Sequence, residues 1–181
     1  MDSVFKDKFL HNWKKYFGKA ELPITFWFAE ENGEETSVLK GKGRNCIINE
    51  LTKVRHGETK IFNTDSNLCT GARRYLGYAG NVRQDFKYFL SCGIPGIMEG
   101  ERYLRTPEMV IELQKLQGKL PSEGKYIVFK RWDKLLATDH PDVVIFYARP
   151  DVLAGLFTLA NFDQTEPNVT FSPFGAGCGT I

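Results

Sequence analysis

A mixed α+β fold, with helices packed on a sheet of about five strands, follows from three observations. Aromatic and aliphatic residues recur at helical spacing in several stretches, as in Phe5, Phe9, Trp13, Tyr16 and Phe17. Short runs rich in β-branched and aromatic residues lie between them, notably Leu22 to Phe28, Tyr126 to Lys130 and Val143 to Tyr147. Heptads, low-complexity tracts and an evident linker are missing, so residues 1–181 read as one domain, large enough to bury a core without staples.

The first helix carries its apolar stripe on one side and Lys6, Lys8, Lys14 and Lys15 largely on the other, with Gly18 as its stop. A basic face of this kind has two readings, a surface for nucleic acid or lipid and an ordinary solvated face; the second is the usual design of a docked terminal helix. Leu22 to Phe28 is β-prone, and Pro23 suits its start. Cys46, Ile47, Ile48, Leu51 and Val54 form a second helical pattern that closes near Gly57, and Lys60-Ile61-Phe62 reads as a short strand.

Leu68 to Tyr78 and Val82 to Leu90 read as two more helices, followed by the turn-rich Cys92-Gly93-Ile94-Pro95-Gly96. Thr106 is a good N-cap and Pro107 a good first helical residue for a helix reaching about Leu116. After the two strongest β segments, Pro150 opens a helix that reaches about Phe162, and Val169-Thr170-Phe171 reads as a last strand. The glycine-rich 175–179 stretch normally introduces another element, yet only Thr180 and Ile181 follow, so a truncated C-terminus is expected.

Composition narrows the function classes. Hydrophobic content of 42% and charged content of 25% are those of a globular protein, and a net charge of +2 argues against nucleic acid as the general partner. The early charges of Met1 to Lys8 differ from a signal peptide, and no apolar run approaches a membrane span, so no membrane partner is expected. Four cysteines in a chain of this length are too few for a secreted disulfide scaffold. The expected compartment is the cytoplasm, with the thiols reduced. Asn168-Val169-Thr170 is a formal glycosylation acceptor without meaning there.

Chemistry concentrates on Cys46, Cys69 and Cys178, each placed where a polar or glycine-rich stretch turns into an apolar run. A thiol at a helix's first turn meets unpaired N–H groups and the positive end of the dipole, which favours thiolate, the form that binds metals and attacks electrophiles. No CxxC pair is present, which argues against thioredoxin-like redox chemistry and zinc-finger spacing. Three dispersed thiolates that converge in space suit zinc, another soft metal or an iron–sulfur cluster. Cys92 falls at the end of a helix, where the dipole disfavours thiolate, and is left out of the set.

Three functional readings therefore stand side by side. In the first, Cys46, Cys69 and Cys178 are metal ligands in a binding protein. In the second, Cys69 is the nucleophile of a thiol-dependent enzyme acting on a small molecule, with Gly71 and the helix N–H groups beneath it. In the third, the cysteines are inert and buried, packing as small hydrophobes in an interaction protein. Arg73, one turn past Cys69, is a candidate ligand-binding cation, and Gly175 and Gly177 are candidate members of an anion-binding nest. His56 is the one conceivable base for Cys69. Oligomeric state has no signature in the sequence.

Four of these stretches, in this order, resemble the uncharacterised ancient-conserved-region family, domain-of-unknown-function family 169. They are Cys46-Ile47-Ile48 leading to Val54-Arg55-His56-Gly57-Glu58; Cys69-Thr70-Gly71-Ala72 with Leu76-Gly77; Asp142 to Phe146 with Pro150 and the helix after it; and Ser172-Pro173-Phe174-Gly175-Ala176-Gly177-Cys178. The resemblance covers most of residues 40–181. It implies no assigned activity, and it implies members that extend beyond Ile181. His56 is not part of the family pattern.

Overall fold

The computed structural model describes residues 1–31, 45–78, 83–116, 120, 123–166 and 169. The elements run α1 (Ser3–Phe17), β1 (Ile24–Ala29), α2 (Ile47–Arg55), β2 (Lys60–Phe62), α3 (Thr70–Tyr75), α4 (Phe86–Phe89), α5 (Pro107–Leu116), β3 (Tyr126–Arg131), a 3₁₀ turn (Trp132–Lys134), β4 (Val143–Ile145) and α6 (Pro150–Asn161). The fold is α+β.

The sheet is antiparallel with strand order β2-β3-β1-β4. The described residues thus form four strands rather than about five: the fifth expected strand, Val169-Thr170-Phe171, falls mostly outside them. The long ladder pairs β1 with β3 in the register Phe26↔Phe129 and Trp27↔Val128.

Alternation along these strands feeds two cores. Ile24, Phe26, Ile127, Phe129 and Phe62 pack with Ile47, Leu51 and Val54 of α2 and with Ala72 and Leu76. Trp27, Val128 and Ile61 face the other way, joining Trp132 and Leu135 under Phe9 and Leu10 of α1. Helices therefore cover both faces, which is why β1 and β3 read as nearly continuous apolar runs and not as half-polar ones. A smaller cluster of Phe86, Leu90 and Val110 joins α4 to α5.

Local chemistry explains the boundaries. Asp2 caps α1 by accepting from the Val4 N–H at 2.9 Å. Thr106 Oγ1 accepts from the Met109 N–H at 3.4 Å at the start of α5. Gly57 and Gly77 end α2 and α3 with φ of 99° and 81°, a region that L side chains avoid. Arg131 then locks the end of α2 to the sheet: its Nη1 donates to the Arg55 carbonyl at 2.9 Å while Nε and Nη2 hold Asp133.

Candidate thiol site at two helix starts

Cys46 and Cys69 are the N-cap residues of α2 and α3. Backbone pairing brings them together. Asn45 and Leu68 form a parallel bridge, with the Asn45 N–H donating to the Asn67 carbonyl at 2.7 Å and the Cys69 N–H donating to the Asn45 carbonyl at 2.9 Å. Neighbouring strands lie about 4.8 Å apart, and residues one step past a parallel bridge share a face, so the two cysteines are side-by-side neighbours. Both keep extended backbone, φ −72°, ψ 127° for Cys46 and φ −61°, ψ 156° for Cys69.

Each helix starts immediately afterwards. The first intrahelical bonds are Glu50 N–H to the Cys46 carbonyl at 3.1 Å and Arg73 N–H to the Cys69 carbonyl at 3.0 Å. Helix geometry leaves the N–H groups before these without intrahelical partners. Neither N-cap side chain bonds to the backbone. Cys46 is exposed and Cys69 half-buried against the larger core, and both are free thiols. One thiol thus faces solvent while its neighbour is anchored.

Arg73 stands one turn beyond Cys69, half-buried, and Gly71 is buried within α3. Cys178, Gly175 and Gly177 lie outside the described residues. Among the described residues, no group of three or more histidine, cysteine or acidic side chains gathers at one point.

Other expected residues sit elsewhere. Cys92 is exposed in the turn after α4, with its sulfur 3.6 Å from the Gly93 carbonyl. His56 caps the far end of α2, about 15 Å from Cys46 at 1.5 Å per residue, and its Nδ1 lies 2.8 Å from the Thr52 carbonyl. It is not placed to serve the thiols.

Two features near the same core escaped sequence reasoning. Glu50, one turn into α2 from Cys46, is 1% exposed; its Oε1 accepts from Lys53 Nζ at 2.9 Å, while Oε2 has no hydrogen bond and lies 3.8 Å from Lys60 Nζ. The signal was available, since Glu50 falls on the apolar stripe of Ile47, Leu51 and Val54. At the other end of α2, Arg55 grips Glu21 through two bonds of 2.7 and 2.6 Å and lies 4.4 Å above the Tyr147 ring. Arg55's hydrogen bond holds the Glu21 carboxyl below its ordinary range, and burial pushes the Tyr147 hydroxyl above its own. Burial also raises Tyr78, whose hydroxyl donates to the Phe62 carbonyl at 3.3 Å.

Fold and site define an α+β protein that presents two free thiols from adjoining helix starts. The chain matches DUF169, described as uncharacterised ArCR, over residues 15–181, and it belongs to that family. No curated protein and no solved structure matches it. No helix among the described residues is long and apolar enough to cross a membrane.

Proposed function

We propose that this is a cytoplasmic binding protein in which Cys46 and Cys69 hold a soft metal ion or an iron–sulfur cluster, with Cys178 as third ligand. The observation that carries the reading is the backbone bridge that sets the two cysteines beside each other. Thiolate ligands suit zinc, copper(I) and iron–sulfur centres, and unpaired helix N–H groups suit the negative charge that such ligands bring. A small-molecule or metal ligand is the expected partner, without nucleic acid.

The test is anaerobic purification of the full chain, followed by metal analysis and a visible spectrum. Bound zinc, or the broad visible absorption of an iron–sulfur centre, is expected, reduced by more than half in Cys46→Ser and in Cys69→Ser. A colourless, metal-free protein that also takes up no zinc or iron and sulfide on reconstitution sinks the reading.

A second reading rests on Arg73, whose guanidinium has no hydrogen-bond or ion-pair partner among the described residues and which stands one turn past the half-buried Cys69. Here Cys69 is the reactive thiol of an enzyme acting on a small anionic substrate. Rapid alkylation of Cys69 near neutral pH, slowed in Arg73→Gln, supports it. Slow labelling of both thiols leaves an interaction protein with structural cysteines.

A further inference from the structure

Far from the thiols, α1 and α6 enclose an apolar groove of about 370 Å³. Its walls are Phe9, Trp13 and Phe17 of α1, Phe146, and Leu156 and Leu159 of α6. Trp13 stands at the centre of a ring cluster, 5.6 Å from Phe9, 5.0 Å from Phe17 and 5.5 Å from Phe146, centroid to centroid. It is only 6% exposed, yet its indole N–H has no acceptor. An N–H buried without a partner costs free energy comparable to a lost hydrogen bond.

The groove has two distinct ends. Tyr16 and Phe17 also line an adjoining polar recess of about 290 Å³, which Lys19, Arg149 and Asp151 surround. Asp151 is held by Arg149 at 2.7 Å, and Lys19 has no ion-pair partner among the described residues, so the recess keeps an uncompensated positive charge. Further along the groove, Lys8 is likewise unpaired among the described residues.

Two more facts shape the occupant. Gly155 of α6 lies so close to Phe17 that a Cβ there would stand 3.1 Å from the ring, so α6 touches α1 through this side chain at one end of the groove. From Phe5 to Phe17 the α1 side of the groove is about 18 Å long at 1.5 Å per residue, comparable with an extended twelve-carbon chain.

We propose that this groove binds a monomeric amphipathic anion, an unbranched alkyl carboxylate, with its chain between the α1 rings and the α6 leucines and its head in the recess beside Lys19 and Arg149. Apolar walls with a few placed polar groups are the usual composition of a small-molecule site, and the volume lies within the usual range of about 300–1,000 Å³. A second copy of the chain fits less well, because a two-fold contact sets each patch against its own twin and α1 carries Lys8, Lys14 and Lys15. Phe5 and Leu159 at the rim project as a membrane-binding face would, whereas Trp13 at the groove's centre is only 6% exposed, so anionic vesicles form one arm of the test.

Isothermal titration of the full chain with dodecanoate, below its micelle concentration, tests the proposal. One site per chain is expected. Lys19→Glu should weaken it about tenfold, the size of one charge-assisted hydrogen bond, and Leu159→Glu at least as much. Leu159 is 60% exposed, so its replacement leaves folding intact, as a thermal melt will verify. Dodecylammonium should bind at least tenfold more weakly than dodecanoate. Equal binding of anion and cation, no binding at all, association only with anionic vesicles, or a dimer whose contact excludes dodecanoate each overturns it.

Discussion

Lys130 and Asp139 form an ion pair buried on both sides, and breaking it has a calculable cost. Lys130 Nζ stands 3.0 Å from Asp139 Oδ2, with side-chain exposures of 9% and 11%. The same Oδ2 accepts from the Leu136 N–H at 2.9 Å, and the ammonium lies 5.7 Å from the Trp27 ring centroid. Asp139→Ala strands a buried cation with only an aromatic face beside it, which costs about 3 kcal/mol, and it orphans the Leu136 N–H for about 1 kcal/mol more. Lys130→Met leaves the carboxylate its Leu136 hydrogen bond and should cost less, about 2 kcal/mol. The double variant removes both charges, so its total should fall about 2 kcal/mol short of the sum. Urea unfolding followed by tryptophan fluorescence and far-ultraviolet dichroism measures each term through the transition midpoint. Single substitutions that cost under about 1 kcal/mol and simply add would refute the reasoning, because they would mean that water reaches the pair freely.

Gly93 and Gly96 share nearly the same backbone, φ 74° and 72°, but not the same surroundings. A Cβ on Gly93 would meet the Met98 carbonyl oxygen at 2.3 Å, whereas one on Gly96 meets nothing within 4 Å. Gly96→Ala should therefore cost only the backbone penalty of about 1–2 kcal/mol, and Gly93→Ala clearly more; equal melting temperatures would contradict the contact. Arg131's hydrogen bonds hold the Asp133 carboxyl below its ordinary range, against the opposing pull of burial. Because the folded chain takes up that proton less readily, the pair's contribution is complete above the unfolded carboxyl value near ~4 and vanishes as pH falls through the lower folded value. Asp133→Asn should flatten the acid limb of stability against pH below ~4 while costing no more than about 1 kcal/mol at neutral pH. An unchanged acid limb would show the pair to be idle.

The helices with strong periodic stripes and clear punctuation were legible from sequence. α1 ends at Phe17 before Gly18, α5 begins at Pro107 after its Thr106 cap, and α6 begins at Pro150. Where long-range pairing intervenes, the local pattern overreached. The stripe from Leu68 suggested a helix to Tyr78, but Leu68 is taken by its bridge to Asn45, and Gly77 closes the helix early, leaving Thr70–Tyr75. Of the expected helix from Val82 to Leu90, Val82 lies outside the described residues and residues 83–90 hold only the single turn Phe86–Phe89. The candidate thiols were visible as helix starts, since each followed a polar stretch and preceded an apolar run. Their adjacency was not, because two backbone hydrogen bonds between segments 23 residues apart in sequence create it. The α1–α6 groove was hidden for the same reason: nothing in the aromatic stripe of α1 says which element lies against it.

The central ladder joins residues 24–29 to residues 126–131. As the chain leaves the ribosome, Phe26, Trp27 and Phe28 emerge about a hundred residues before the strand that shields them. During that interval the aromatic segment has neither its neighbour nor its closing hydrogen bonds, and it is open to chaperones or to unwanted association. Non-local pairing of this kind also slows folding relative to helical chains of equal length, so a burst of synthesis taxes this protein most before residues 126–131 have appeared.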